Sequence, residues 1–215
     1  VDGGNTWVQM TNSEVVNNTI NIEVTMANPD WVGLRYSQGK QFHLSKDGGA
    51  TFTFRSEMPE DAHFALSQTD TNIVYTSNVV VYRSADQGLT WNQITNWYNN
   101  DIHPEVHADV HDIVPNPNKP GDIYFCNDGG IYQYSEPLEA WADLSEGLGI
   151  AQFYRIAVAE SGFMQLAAGS QDNGGWLRTS NGTWKHTNGG DAMCQAIDPT
   201  NSDVMYTEYL GGNAI

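Results

Sequence analysis

Ser45-Lys46-Asp47-Gly48-Gly49-Ala50-Thr51-Phe52 and Ser84-Ala85-Asp86-Gln87-Gly88-Leu89-Thr90-Trp91 are two copies of one turn. Val1-Asp2-Gly3-Gly4-Asn5-Thr6-Trp7 is the same turn without its opening serine. The aspartate (Asp2, Asp47, Asp86) is a short acceptor that can bond the backbone of its own turn. The glycine two residues on (Gly4, Gly49, Gly88) supplies the positive φ of a tight reversal. Thr and an aromatic (Trp7, Phe52, Trp91) then begin an outgoing strand. Strand-like runs, Gln41-Phe42-His43-Leu44 and Val79-Val80-Val81-Tyr82-Arg83, lead into Ser45 and Ser84. Each copy therefore reads as a β-hairpin tip. That structural role accounts for every residue type, so Asp47 and Asp86 are expected to hold a turn rather than do chemistry.

A recurrence every forty to fifty residues or so points to a radially repeated all-β architecture. Its phase is set by polar turns that precede a second strand: Asn28-Pro29-Asp30, Thr69-Asp70-Thr71-Asn72, Asn116-Pro117-Asn118 and Asp198-Pro199-Thr200-Asn201. Each unit reads strand, polar turn, strand, loop, strand, aspartate turn, strand, which is a four-stranded propeller blade. The expected fold is an all-β propeller of four-stranded antiparallel blades, with this chain a fragment of about five. Residues 1–15 end one blade, 16–58, 59–100, 101–148 and 149–188 form four more, and 189–215 begin another, all in one domain. Two boxes are degraded: Ser135-Glu136-Pro137-Leu138-Glu139-Ala140-Trp141 loses Asp and Gly, and Ser180-Asn181-Gly182-Thr183-Trp184 is shortened.

The repeated turn resembles the Asp-box, or BNR repeat, of sialidases, sortilin-like (VPS10) propellers and xyloglucanase-type glycosidases. The resemblance implies a propeller. Because those families differ in activity, it implies no single chemistry. A sialidase would need three arginines gripping a carboxylate, and the five present (Arg35, Arg55, Arg83, Arg155, Arg178) are not placed in that family's order. Phe153-Tyr154-Arg155-Ile156 lacks the family's proline and follows the boxes rather than preceding them. The order His-x-Asp-x-His, Asn-Asp-Gly-Gly, Gly-x-Gln-Asp-Asn-Gly, Gly-Gly-Asp over 103–215 also resembles secreted bacterial Asp-box proteins of sortilin-like or glycosidase-like type. That likeness supplies no catalytic assignment.

Among 215 residues, 26 are acidic and 9 are Lys or Arg, for a net charge of −17. Nucleic acid requires a basic footprint, so that class is disfavoured and no nucleic-acid partner is expected. No apolar run approaches the ~20 residues of a membrane-spanning helix, so no membrane insertion is expected. Asn-, Thr-, Gly-, Trp- and Tyr-rich composition suits a secreted or cell-surface β protein, and Asn17-Asn18-Thr19 and Asn181-Gly182-Thr183 are sequons. Cys126 and Cys194 are expected as buried free thiols. The chain begins within a box and without Met, so the remaining blades of a longer polypeptide are expected as partners.

In an up-and-down blade, the first-to-second and third-to-fourth turns share one face, which carries the Asp-boxes. The opposite face carries the more unusual loops, where ligands usually bind. His107, Asp109 and His111 alternate, and on a strand they would project together. They could line a polar channel or hold a transition metal. No other cofactor is expected. Asn127, Asp128, Gln171, Asp172, Asn173 and Trp176 lie in two glycine-containing loops suited to bonding hydroxyls and stacking on a sugar, or simply to local turn bonding. Asp109, Asp172 and Asp191 are the catalytic candidates: if two converge, they could form a glycosidase pair. The favoured reading is a non-catalytic binding module for carbohydrate or protein. The alternative is a hydrolase of neutral polysaccharide.

Overall fold

A computed structural model describes residues 4–7, 20–36, 40–60, 63–98, 101–160, 165–209 and 213–214. Asp2 and the Asn17-Asn18-Thr19 sequon lie outside the described residues. The chain is an all-β propeller fragment, and its contacts divide it into two units, Val1–Glu146 and Gly147–Ile215.

The first unit holds three four-stranded antiparallel meanders. The first comprises β1 (Ile20–Val24), β2 (Val32–Tyr36), β3 (Gln41–Ser45) and β4 (Thr53–Glu57). The second comprises β5 (His63–Leu66), β6 (Val74–Ser77), β7 (Val81–Ser84) and β8 (Asn92–Gln93), and the third β9 (Val110–Pro115), β10 (Asp122–Asn127), β11 (Gly130–Ser135) and β12 (Ala140–Asp143). The second unit holds a four-stranded meander, β13 (Arg155–Val158), β14 (Leu166–Gly169), β15 (Gly175–Arg178) and β16 (Trp184–Asn188), and a three-stranded one, β17 (Gln195–Ile197), β18 (Met205–Tyr209) and β19 (Asn213–Ala214). Strand order follows chain order in every sheet, as short hairpin connections dictate.

Both complete boxes fold alike. Asp47 accepts from the Thr51 amide at 2.9 Å, the Thr51 hydroxyl at 2.6 Å and the Ser45 hydroxyl at 2.7 Å. Asp86 accepts from Thr90 at 2.9 and 2.7 Å and from Ser84 at 2.8 Å. The serine oxygen takes the amide hydrogen of Gly49 or Gly88, each at 2.8 Å, and both glycines have positive φ. These donors, the Thr hydroxyls foremost, pull both carboxyls down to about 2. Neighbouring turns are tied together by Gly48 to the Asp30 carbonyl, Gln87 to Asn72 and Glu136 to Gly121, at 2.7–2.8 Å. The polar turns and the box turns therefore share a face.

The degraded box at 135–141 is repurposed. Glu136 accepts from Ser67 at 2.9 Å, Thr69 at 2.6 Å and Tyr75 at 2.9 Å, all on the neighbouring sheet. In the second unit the shortened box is opened by Thr179 rather than Ser180. The Thr179 hydroxyl donates to Asn181 at 2.5 Å, and the Thr183 amide donates to the same Asn181 oxygen at 3.1 Å.

The core lies between sheets. Phe42, Leu44, Phe64, Leu66 and Val74 join the first and second, with Trp91 packed against them. Tyr75, Val81, Val110, Ile113, Ile123, Phe125 and Tyr134 join the second and third. The Trp91 indole also donates to Ser56 at 2.9 Å, so the box aromatic clamps its own turn to the preceding sheet. Trp31 is buried, with the Lys46 ammonium 4.6 Å from its ring centre. Cys126 and Cys194 are free but half-buried rather than buried. Among the described residues no helix is long and apolar enough to cross a membrane.

Candidate functional site

The innermost strands of the first unit gather an ionisable cluster. On β1, Ile22 and Val24 are exposed while Thr25, two positions from Glu23, is buried. Thr25 donates to the Ser67 carbonyl just past β5, at 2.5 Å. The face carrying Glu23 therefore looks onto the second sheet. Burial first and the Asp112 charge second push Glu23 from its ordinary 4.5 up to about 7. His63 on β5 is held below its ordinary value by burial, with Asp112 opposing and Arg35 and His111 reinforcing that shift. Burial and Asp112 also raise the Cys126 thiol. Asp112 of β9 is thus the charge that three other groups sense. A carboxylic acid protonated near neutrality beside a second carboxylate is the arrangement that acid–base chemistry uses. Arg35, buried on β2, donates to Asn21 at 3.1 Å on the same side of β1 as Glu23.

The alternation expected of His107, Asp109 and His111 is corrected by the structure. β9 begins only at Val110, so His107 and Asp109 precede it. Asp109 is left-handed, with φ 58°, which breaks the two-residue period. Pairing with β10 then jumps from Cys126–Asp112 to Asn127–Val110, leaving His111 as the extra residue of a β-bulge. Bulges re-aim a side chain, and here the His111 Nε2 meets the Asp128 carboxylate. His107 lies against the β10–β11 turn. Its carbonyl accepts from Asn127 at 2.9 Å, and a Cβ on Gly129 would fall 2.5 Å from its ring. Among the described residues no group of three or more His, Cys, Asp and Glu side chains could hold a metal ion.

In the second unit the two candidate loops are stitched together. Gly174 donates to the Gly190 carbonyl at 2.9 Å and Ala192 to Ser170 at 3.0 Å. The Asp172 amide donates to the Asp191 carboxylate, also at 3.0 Å. Asp172 is left-handed at φ 60°. The approach is so close that a Cβ on Gly169 would sit 1.6 Å from the Ala192 carbonyl oxygen. Asp172 and Asp191 are therefore neighbours, but Asp191 is engaged in holding a backbone. Exposed Gln171 accepts from the Tyr154 hydroxyl at 2.8 Å, and Tyr154 is itself exposed. The Trp176 indole donates to the Asn173 carbonyl at 2.8 Å and its ring lies 4.9 Å from His186. It is half-buried and spans its own turn.

Sequence reasoning missed Glu23, His63 and Asp112. Glu23 and His63 sit in alternating strands with no motif around them, and Asp112 follows the His107-x-Asp109-x-His111 run without belonging to it. The one available signal was an acid or imidazole in a run assigned to an innermost strand.

No protein-family model matches this chain, and no curated protein matches it. Among solved structures, a GH74 enzyme of Niastella koreensis aligns at 16% identity and TM-score 0.43, over 86% of this chain and 33% of that one. The GH74 xyloglucanase of Xanthomonas campestris aligns at 17% and 0.43, over 86% and 34%. PorZ, a surface component of the type-IX secretion system of Porphyromonas gingivalis, aligns at 13% and 0.47, over 91% and 28%. The chain thus spans about a third of the length of these proteins.

Proposed function

We propose that this chain is part of a secreted or cell-surface propeller that binds carbohydrate or protein through the loop face opposite the Asp-boxes. The observation that supports this is the stitched pair of loops at 170–174 and 189–192, which presents exposed Gln171 on a fixed backbone, bonded to exposed Tyr154 ahead of β13. Preorganised loops lose little entropy on binding. A tyrosine with an amide partner suits either sugar hydroxyls or a peptide backbone. Engagement of Asp191 with the Asp172 amide weighs against catalysis there. Titration against neutral oligosaccharides and unstructured peptides tests the reading, with Tyr154→Ala and Gln171→Ala each expected to weaken binding about tenfold, or ~1.4 kcal/mol. Binding that both variants leave intact would overturn it.

The second reading, hydrolysis of neutral polysaccharide, is favoured by Glu23 and Asp112 rather than by the acids first suspected. Glu23, raised to about 7 by burial and then by the Asp112 charge, would be the proton donor, with Asp112 as the second carboxyl group. Removing either group of such a pair should lower turnover by ~100-fold or more. Neutral glycans that remain uncut by the intact protein, or turnover that survives Glu23→Gln and Asp112→Asn, would exclude it.

A further inference from the structure

The second and third sheets leave a cavity of about 330 Å³ between them, lined by Arg83, Gln93, His103, Tyr134, Glu139 and Trp141, with Ile94 and Pro104 closing its apolar side. This volume falls at the small end of the range of about 300–1,000 Å³ typical of ligand sites. One ring fits it better than an extended chain. The aromatic wall is fixed: Trp141 lies 4.9 Å from both Phe125 and Tyr134, ring centre to ring centre, and stays half-buried. The segment carrying His103 and Pro104, two of the lining residues, is held to Asn96 by backbone bonds. Asn96 donates to the Pro104 carbonyl at 2.9 Å and Val106 to the Asn96 carbonyl at 2.8 Å.

The lining carries charges of both signs. Arg83 and Glu139 both act on the Tyr134 phenol, with opposite signs. A ligand of either charge would be attracted by one of these groups and repelled by the other, so the pair selects neither sign. A neutral ligand rich in hydroxyls meets no such repulsion. Planar guanidinium, carboxylate and amide groups each bond adjacent hydroxyl pairs, while an indole covers the C–H face of a sugar.

We infer that this cavity is a binding site for a single neutral sugar ring, such as the end residue of a glycan, separate from the loop face. The site does not depend on the loop-face reading. Saturation-transfer NMR and titration of the 215-residue chain with methyl β-glucopyranoside, methyl β-galactopyranoside and methyl α-mannopyranoside should show one of them binding. Glu139→Gln and Gln93→Ala should each weaken it at least tenfold, and Glu57→Gln, exposed on β4 of the first sheet, should leave it unchanged. Trp141→Phe should weaken it while the thermal melt stays cooperative. Three results would overturn the inference: no binding by any of the three glycosides, tighter binding of glucuronate than of glucoside, or affinity unaltered by Glu139→Gln and Gln93→Ala. Loss on Gln171→Ala alone would move the sugar to the loop face and remove the cavity as its site.

Discussion

Two sets of carboxylates in the first unit have opposite fates. On the turn face, Asp47 and Asp86 are surrounded by donors from their own turns and fall to about 2. On the innermost strands, Glu23 loses water, faces Asp112 and rises to about 7. The turn acids are local objects: their partners lie within seven consecutive residues, 45–51 or 84–90. The strand acid is a product of assembly, because the groups that perturb it come from other sheets. Glu136 stands between the two, since it sits in a turn but bonds across to Ser67, Thr69 and Tyr75. The difference teaches that an acid conspicuous in sequence can be held by its own turn, and an inconspicuous one strongly perturbed, once burial is counted.

Glu136→Ala should have the largest effect. It strips acceptors from three hydroxyls, one of them on fully buried Tyr75, at a cost of about 2–4 kcal/mol. Urea denaturation reads this directly. A loss no larger than that of an intact box would erase the distinction between local and cross-sheet turns. Next comes Glu23→Gln. The folded carboxyl titrates near 7 and the unfolded one near 4.5, so the folded chain holds more protons between those values. Native stability therefore falls as pH rises through that window. Discounted for partial solvent screening, the variant should gain about 1–2 kcal/mol at pH 8 and nothing below pH 4. Paired urea melts at the two pH values would break the comparison if the gain appeared at both.

Asp86→Ala should cost about 1 kcal/mol, the worth of a few exposed turn bonds. Asp86→Asn should cost less, because its oxygen can still accept from Thr90. The smallest effect is the acid limb. Both box carboxyls are depressed, so their contribution is present above pH 4 and fades as pH falls toward 2. Melting temperature followed from pH 5 to 2 should drop less steeply in the Asp47→Asn, Asp86→Asn double variant. Parallel curves would show that the box bonds are no stronger folded than unfolded.

The propeller fold was readable because its signals are short-range. The side chains of Ser45, Asp47 and Thr51 bond within their own turn, so the residue types suffice to name the turn, and the polar turns at 28–30 and 70–72 set the phase of the strands. The loop candidates were readable only as addresses. Asp172 and Asp191 do come together, yet their joining through an amide and a carboxylate depends on two hairpins meeting. The His107–Asp109–His111 alternation failed because a left-handed residue and a bulge interrupt a period that sequence could only assume.

What the sequence determined by itself is therefore the blade: strand periodicity and turn chemistry act over a few residues. What the tertiary structure decided is chemical character. Glu23 becomes a neutral-range acid, Glu136 becomes a clamp between sheets, and Arg83, Glu139 and Trp141 come to share one cavity. Each outcome depends on desolvation and on charges brought in from distant strands, and neither is encoded in the residues that flank them.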